Sequence, residues 1–387
     1  MYEKILDIEE ESAIETLTTF GFDESKRALK NLTRIAASPL RDGVPLLLEL
    51  ASHAPSPDDA LNNLERIAPL LSPESASSLL RDREKIRMLI TVCGSSEMLT
   101  HTIVKEPTLL DRLLLGNQIK EKKEFDLFKE EIEQCMGENT ESDEAARLLR
   151  LYRQREYLRI GARDLLTLSP LRETTAELSA LADALLKVAT DFCLKKLKEK
   201  YGTPLYRDGN GGTCEAEFVV IGMGKLGGME LNFSSDIDII YLYSYDKGET
   251  SGTDDQGNNS IALHTFFVRL SEMVTKMIGA VTEDGYVFRV DLDLRPEGTR
   301  GAIANSLRGA EIYYESWGQS WERAAMIKAR PVAGSLALGE EFLKVIEPFV
   351  YRRYLDFTAL DEIRAMEEKI DLNHLRRKRE RTDVKLG

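Results

Sequence analysis

One stretch decides the fold: Gly222-Met-Gly-Lys-Leu-Gly-Gly-Met-Glu-Leu-Asn-Phe-Ser-Ser-Asp-Ile-Asp238, directly after the β-rich run Ala216-Glu-Phe-Val-Val-Ile221. Gly222, Gly224 and Gly227 fit the G-x-G-x-x-G spacing of a dinucleotide-binding turn. A Rossmann unit, however, needs a full crossover helix and an acidic residue about 20 positions further on. Only eight residues separate Gly227 from Asp236, room for barely two helical turns. A Walker A loop fails as well, because Leu226 follows Lys225 where Ser or Thr is required. What remains is a glycine turn, a short helix, and Asp236-x-Asp238 opening a strand over Ile237–Tyr243.

Residues i and i+2 of a strand point to one face, so the two carboxylates project together. They repel each other unless a cation sits between them, and Mg²⁺, or Mn²⁺ in its place, suits such oxygen donors when phosphate is also bound. The glycine turn offers backbone N–H groups at the start of a helix, a natural seat for phosphate. A third carboxylate is expected from the alternating strand Val287-Phe-Arg-Val-Asp-Leu-Asp-Leu294, on which Asp291, Asp293 and Arg295 would share a face. A lone Asp-x-Asp is commonly a solvated turn or cap, and Asp291 with Asp293 could equally be a solvent-facing strand edge. Lys225 can be read as an exposed turn lysine or as a phosphate contact. Together, carboxylates, a divalent cation, a phosphate seat and a nearby Arg point to two-metal phosphoryl or nucleotidyl transfer.

Upstream, residues to about Lys200 read as helices, among them Ser25–Ala37, Pro57–Leu71 and Thr108–Leu115. Ser38–Pro39, Ser56–Pro57, Ser72–Pro73 and Ser169–Pro170 look like helix starts, with Ser as cap and Pro in the first turn. Leu178, Leu181, Leu185, Val188 and Phe192 predict one buried stripe of a long helix. No fixed repeat of roughly 30–45 residues is evident, so no solenoid is expected. Downstream, Arg207–Thr213 and the polar segment Tyr245–Ser260 are expected to be loops. A helix should run from Ile261 to about Ile278, with Leu263, Phe267, Leu270, Val274 and Met277 on one face. After Ser306 the pattern is helical to the end, and the basic run Arg376–Arg379 reads as a solvated helix face.

The composition sets the outer bounds. The 387 residues carry 52 basic and 66 acidic side chains, a net charge of −14, which argues against a nucleic-acid partner. With 42% hydrophobic residues the chain can bury a real core. No apolar run approaches the roughly 20 residues that span a bilayer, and Met1–Ser12 is acidic, unlike a signal peptide, so no membrane partner is expected. Cys93, Cys135, Cys193 and Cys214 form no C-x-x-C pair, and His53, His101, His264 and His374 are scattered. A disulfide framework and a structural zinc site are not expected, and a cytoplasmic setting is.

The motif Gly222–Asp238 closely resembles that of the bacterial glutamine synthetase adenylyltransferase/adenylyl-removing enzyme family, within the DNA polymerase β-like nucleotidyltransferase superfamily. The resemblance continues in Arg155-Glu-Tyr-Leu-Arg-Ile-Gly-Ala-Arg-Asp164 and Val290-Asp-Leu-Asp-Leu-Arg-Pro296. It extends through Trp321-Glu-Arg-Ala-Ala-Met-Ile-Lys-Ala-Arg330 to Tyr351-Arg-Arg-Tyr-Leu-Asp356, and so covers most of the chain. It implies an α+β, predominantly α-helical fold in three parts. These are a helical region over 1–200, a catalytic domain with a small mixed sheet over 201–335, and a helical segment over 336–387. Family members resemble a tandem of two catalytic halves joined by a regulatory region. One half removes AMP from a glutamine synthetase tyrosine by phosphorolysis, releasing ADP, and the other adds AMP from ATP.

About 200 helical residues before the motif, and the match over Leu158–Leu186, make this chain similar to the N-terminal, adenylyl-removing half. Its end at Asp383-Val-Lys-Leu-Gly387, where the family runs on, implies a fragment. The resemblance implies that Asp236, Asp238 and Asp291 are the catalytic metal ligands. The family usually has Arg where Asp293 stands here, which favours Asp291 as third ligand. Gly222, Gly224, Gly227, Gly228 and Ser235 would line the phosphate seat. Lys225, Arg295, Lys328 and Arg330 would neutralise phosphate charge, although Lys328 and Arg330 can also be read as helix-end cations. The implied partners are adenylylated glutamine synthetase, inorganic phosphate, ADP or ATP, and a PII-type signal protein. The reverse reaction, adenylylation from ATP, and a non-catalytic docking or regulatory module are the alternatives.

Overall fold

The computed structural model describes residues 5–110, 119, 121–137, 140–209, 211–254 and 256–351. The expectations for Thr108–Leu115 beyond Leu110, for the Tyr351–Asp356 motif beyond its first residue, for the rest of the 336–387 segment and for Arg376–Arg379 lie outside the described residues. The fold is α+β and predominantly helical. It divides into two compact units, Met1–Lys122 with Gln154–Thr174 and Lys123–Arg153 with Thr175–Gly387. Among the described residues no helix is long and apolar enough to cross a membrane.

The first unit is built from short helices, including Glu10–Thr19, Ser25–Ala36, Val44–Ala51, Pro57–Ile67, Pro73–Leu80 and Arg83–Ser95. Leu17, Leu32, Ile35, Leu47, Leu64, Ile67, Ile86 and Leu89 are buried in its core. Ser56 and Ser72 cap their helices by accepting the N–H of Asp59 and Ser75, with Pro57 and Pro73 in the first turn. Ser38 behaves differently. Its hydroxyl donates to the Ile35 carbonyl (2.7 Å) and accepts from the Leu40 N–H (3.1 Å), so it closes the preceding helix instead of opening the next.

Two helices share a short motif, although no full-length period accompanies it. Ala28-Leu-Lys-Asn-Leu-Thr-Arg-Ile-Ala36 and Ala60-Leu-Asn-Asn-Leu-Glu-Arg-Ile-Ala68 coincide at seven of nine positions, offset by 32. The equivalent side chains do equivalent work. Asn31 Nδ2 donates to Asn62 Oδ1 (2.7 Å) and Asn63 Nδ2 to the Cys93 carbonyl (2.8 Å). Arg34 pairs with Glu65 (2.8 Å) and Arg66 with Glu97 (2.5 Å). Helix Ser25–Ala36 is thus tied to Pro57–Ile67, and Pro57–Ile67 is tied by its amide to Arg83–Ser95 and by its ion pair to Glu97–Lys105. The match is short and has two copies, and the connecting segments differ, which is why it escapes a search for a full-length period.

Among the described residues of the second unit the strands are β1 (Pro204–Arg207), β2 (Thr213–Glu215), β3 (Phe218–Gly222), β4 (Ile237–Tyr243), β5 (Glu249–Thr250), β6 (Val290–Asp291), β7 (Ala304–Ser306) and β8 (Arg330–Gly334). β2, β1 and β5 form a small antiparallel sheet, so part of the expected loop Tyr245–Ser260 is a strand. Thr250 is buried there and its Oγ1 accepts the Ile261 N–H (3.0 Å). The main sheet has the order β6-β4-β3-β8, with β7 also paired to β4. β3 is antiparallel to β4 and β8, while β4 is parallel to β6 and β7, so the sheet is mixed.

Alternating residues serve the two faces, as a strand period of two demands. Val219, Ile221, Ile240 and Leu242 pack with Tyr314, Leu338, Phe342 and Ile346. On the other face Phe218 and Tyr243 stack on Phe267 (5.8 and 4.9 Å), and the Tyr241 hydroxyl meets Thr275 Oγ1 (2.9 Å). Both partners belong to helix Leu263–Gly279, close to the expected span. His264 shares a hydrogen bond with the Tyr243 hydroxyl (3.0 Å).

Three expectations are corrected. The strand expected over Val287–Leu294 keeps two residues, because Asp291 Oδ1 accepts the Asp293 N–H (2.8 Å) and Leu292 the Arg295 N–H, turning the chain away. Asp293 and Arg295 therefore do not continue the face of Asp291. The chain is not helical throughout after Ser306, since β8 (Arg330–Gly334) pairs with β3. Helix Leu171–Tyr201 is more than a stripe: every residue from Glu177 to Leu186 is buried. Ala180, Ala182 and Ala184 are buried in it, and Glu177, Ser179 and Asp183 are enclosed with them.

Candidate active site

The site grows from the end of β3. Gly222 pairs with Ile239, and the Met223 N–H donates to the Asp238 carbonyl (2.8 Å). A single helical turn, Gly224–Gly227, follows. Gly224 has φ +52°, and a Cβ placed on it would lie 2.6 Å from Asp238 Oδ2. A Cβ on Gly227 would lie 2.0 Å from the Lys328 carbonyl. Glycine is required at both positions by close approach, so the turn is pressed against the Asp238 carboxylate on one side and the chain entering β8 on the other.

The parallel register of β4 and β6 places Ile237 opposite Val290 and Asp238 opposite Asp291. Neighbouring strands lie about 4.8 Å apart, so these two carboxylates stand side by side on one face. One step earlier on each strand, Asp236 and Arg289 form an ion pair through Oδ1 and Nε. Arg289 also donates to the Ser234 carbonyl (2.7 Å), and its own carbonyl accepts the Ile237 N–H (2.9 Å). The Asp236 carboxylate beside it raises Arg289 above its ordinary pKa. The row therefore holds three carboxylates with one fixed positive charge at its end.

All three carboxylates are half-buried. Among the described residues no group of three or more His, Cys, Asp or Glu side chains is placed to hold a metal ion, so Asp236, Asp238 and Asp291 do not together form the expected three-ligand set. Mg²⁺ does not need such a set. It is generally held by one or two carboxylates, waters and substrate phosphate oxygens. An all-oxygen set with two carboxylates adjacent in register fits that chemistry, and Mn²⁺ equally.

The remaining candidates separate into two groups. Lys225 lies half-buried in the glycine turn, and Ser235 Oγ donates to Asn232 Oδ1 (2.7 Å), fixing the turn before Asp236. Gly228 and Lys328 are exposed at the rim, where Lys328 is ion-paired with Glu230. Arg295 and Arg330 are directed at the protein itself. Arg295 donates to the carbonyls of Leu292 (2.8 Å) and Gly301 (3.3 Å). Arg330 holds Asp183 (2.8 and 3.1 Å) and reaches the carbonyls of Leu226 (3.1 Å) and Gly227 (3.4 Å). Burial pushes the Asp183 carboxyl up to about 6, with Arg330 pulling the other way.

Sequence reasoning passes over Arg289, Ser179 and Asp183. Arg289 carries a signal, since it shares strand parity with Asp291. Asp183 carries one too, as a lone acid in the apolar run Ala180–Leu186.

A family model described as glutamate-ammonia ligase adenylyltransferase matches residues 86–345. A bifunctional glutamine synthetase adenylyltransferase/adenylyl-removing enzyme of Pseudomonas syringae pv. tomato is 40% identical over 296 residues, 76% of this chain and 29% of the relative. Its counterparts from Shewanella woodyi and Pseudomonas aeruginosa are 37% and 38% identical, over 81% and 79% of this chain and 32% and 30% of their own lengths. The chain thus spans about three tenths of the length of the curated relatives it matches.

Proposed function

The chain belongs to the glutamate-ammonia ligase adenylyltransferase family, and from that premise we propose that it removes AMP from an adenylylated tyrosine of glutamine synthetase by metal-dependent phosphorolysis. The observation that carries this reading is the register pair Asp238–Asp291, with the glycine turn lying against Asp238. An oxygen of inorganic phosphate bonds to the α-phosphorus, the bond from that phosphorus to the tyrosine oxygen breaks, and ADP leaves. The tyrosinate takes up a proton. Little covalent work falls to the protein, so positioning and charge neutralisation supply the rate.

Asp238 and Asp291 would hold Mg²⁺ or Mn²⁺, with Asp236 completing the set when it exchanges Arg289 for the cation. Such an ion, when bound, neutralises phosphoryl charge and stabilises the leaving oxygen. The glycine turn and Ser235 frame the phosphate, and Lys225 and Lys328 are the nearby cations. Arg295 and Arg330 are left out of this role because their donors are directed at backbone carbonyls and Asp183. A PII-type partner belongs to this reading as regulator, in a cytoplasmic setting.

The resemblance of Leu158–Leu186 to the adenylyl-removing half supports removal over addition. Incubation with adenylylated glutamine synthetase, phosphate and Mg²⁺ should release ADP. If no ADP appears while ATP and unmodified glutamine synthetase give pyrophosphate and adenylylated tyrosine, the adenylylating direction replaces it. Binding without turnover in either assay would leave a docking module.

A further inference from the structure

Ser179 and Asp183 stand four residues apart on helix Leu171–Tyr201, hence on one face, and both are buried. Asp183, through Arg330, holds the glycine turn itself, and Ser179 holds the segment that follows it. Ser179 Oγ accepts the N–H of Leu231 (3.1 Å). Asp183 takes both terminal nitrogens of Arg330, whose Nη2 and Nε donate in turn to the carbonyls of Leu226 and Gly227. On its other side the same turn carries Gly224, whose Cα lies against the Asp238 carboxylate. An unbroken chain of contacts therefore runs from the helix through Arg330 and the turn to the carboxylate row.

A carboxylate enclosed in an alanine- and leucine-rich helix is an expensive way to stabilise that helix. Desolvation opposes its charge, and an apolar residue of similar size would serve the packing as well or better. Arg330 is likewise occupied on both sides, by a carboxylate and by two carbonyls that a shorter or single-headed cation cannot span together.

We propose that Asp183, acting through Arg330, is a positioning residue that sets the glycine turn against Asp238, with Ser179 as its second tether. Its activity arm rests on the transferase reading above, and its structural arm does not. The test uses the full chain with Asp183→Asn, Arg330→Lys and Ser179→Ala. Hydrogen exchange at the amides of residues 224–231 should quicken by about tenfold or more in Asp183→Asn and Arg330→Lys, and less in Ser179→Ala, with the amides of β4 unchanged. ADP release should fall about 10- to 100-fold in kcat, with KM for the adenylylated protein moving less than about twofold, the signature of misplacement and not of lost binding. Arg330→Lys keeps the charge, so it decides the matter if Asp183→Asn does not fold. Exchange within twofold of the parent protein in a folded variant overturns the proposal. Should the parent chain show no transfer in either direction, the functional reading fails and the exchange data still judge this one.

Discussion

The two units use the same residue types for opposite ends. In the first, Asn31 and Asn63, and Arg34 and Arg66, stand at equivalent positions 32 residues apart and tie their helices to others further along the chain. The rungs are duplicated and local, so the loss of one leaves its twin. In the second unit Arg289 and Arg330 occur once each, and both end at the carboxylates or at the turn beside them. Polar contacts there hold the turn and the carboxylate row in place. The contrast separates interactions that hold a fold from interactions that hold a site.

The comparison breaks most visibly at the site. Asp238→Asn should cut ADP release on the order of 10³-fold, with thermal unfolding unchanged within a few degrees. A variant that retained activity would remove Asp238 from the chemistry. Next in size is a pH effect on the second unit. The folded pKa of Asp183, about 6, lies above its ordinary 3.8. The folded state therefore binds that proton more tightly, and the associated stability is complete below pH 4 and lost as pH rises through 6. A difference of that size between the folded and unfolded chain corresponds to about 3 kcal/mol. Urea unfolding between pH 4 and 7, followed by the fluorescence of Trp317 and Trp321, both in this unit, should show that slope in the parent protein. A slope of equal size in Asp183→Asn would assign it to another group.

Smaller effects belong to the ladder. Asn63→Ala deprives the buried Cys93 carbonyl of its donor and should cost about 1–3 kcal/mol without altering kcat. A loss of turnover on this substitution would blur the division between the units. Smallest of all, Arg34→Ala removes an ion pair in which Arg34 is 55% exposed, and should cost no more than about 1 kcal/mol in a thermal melt.

Much of this arrangement is legible in the sequence where a local rule governs it. The glycine turn, β4 and the helix from Leu263 all announce themselves by spacing and periodicity. β8 does not, since Arg-Pro-Val-Ala-Gly has little β character and is a strand only because β3 lies beside it. β6 stops after Asp291 because that side chain captures the Asp293 N–H, and local capture of this kind competes with alternation without changing the apolar pattern. The carboxylate pair itself needs a fact that sequence does not carry. Asp238 and Asp291 both stand out along the chain, but their adjacency depends on parallel register, and with it the pairing of Asp236 to Arg289. Charge near a glycine turn suggests a phosphate cation at Arg330. Its use by Asp183 requires knowing which face of the buried stretch Glu177–Leu186 meets the turn.

The ends of the main sheet have a consequence for how molecules of this kind meet one another. β6 and β7, both on the outer side of β4, are two and three residues long, and β8 carries Pro331, which has no N–H, a register shift against β3 and Gly334 at φ +76°. Neither border presents the long, flat row of free donors and acceptors on which a foreign strand could template itself. The sheet that supports the carboxylates is thereby protected from fusing edge to edge with its copies, even in a crowded solution.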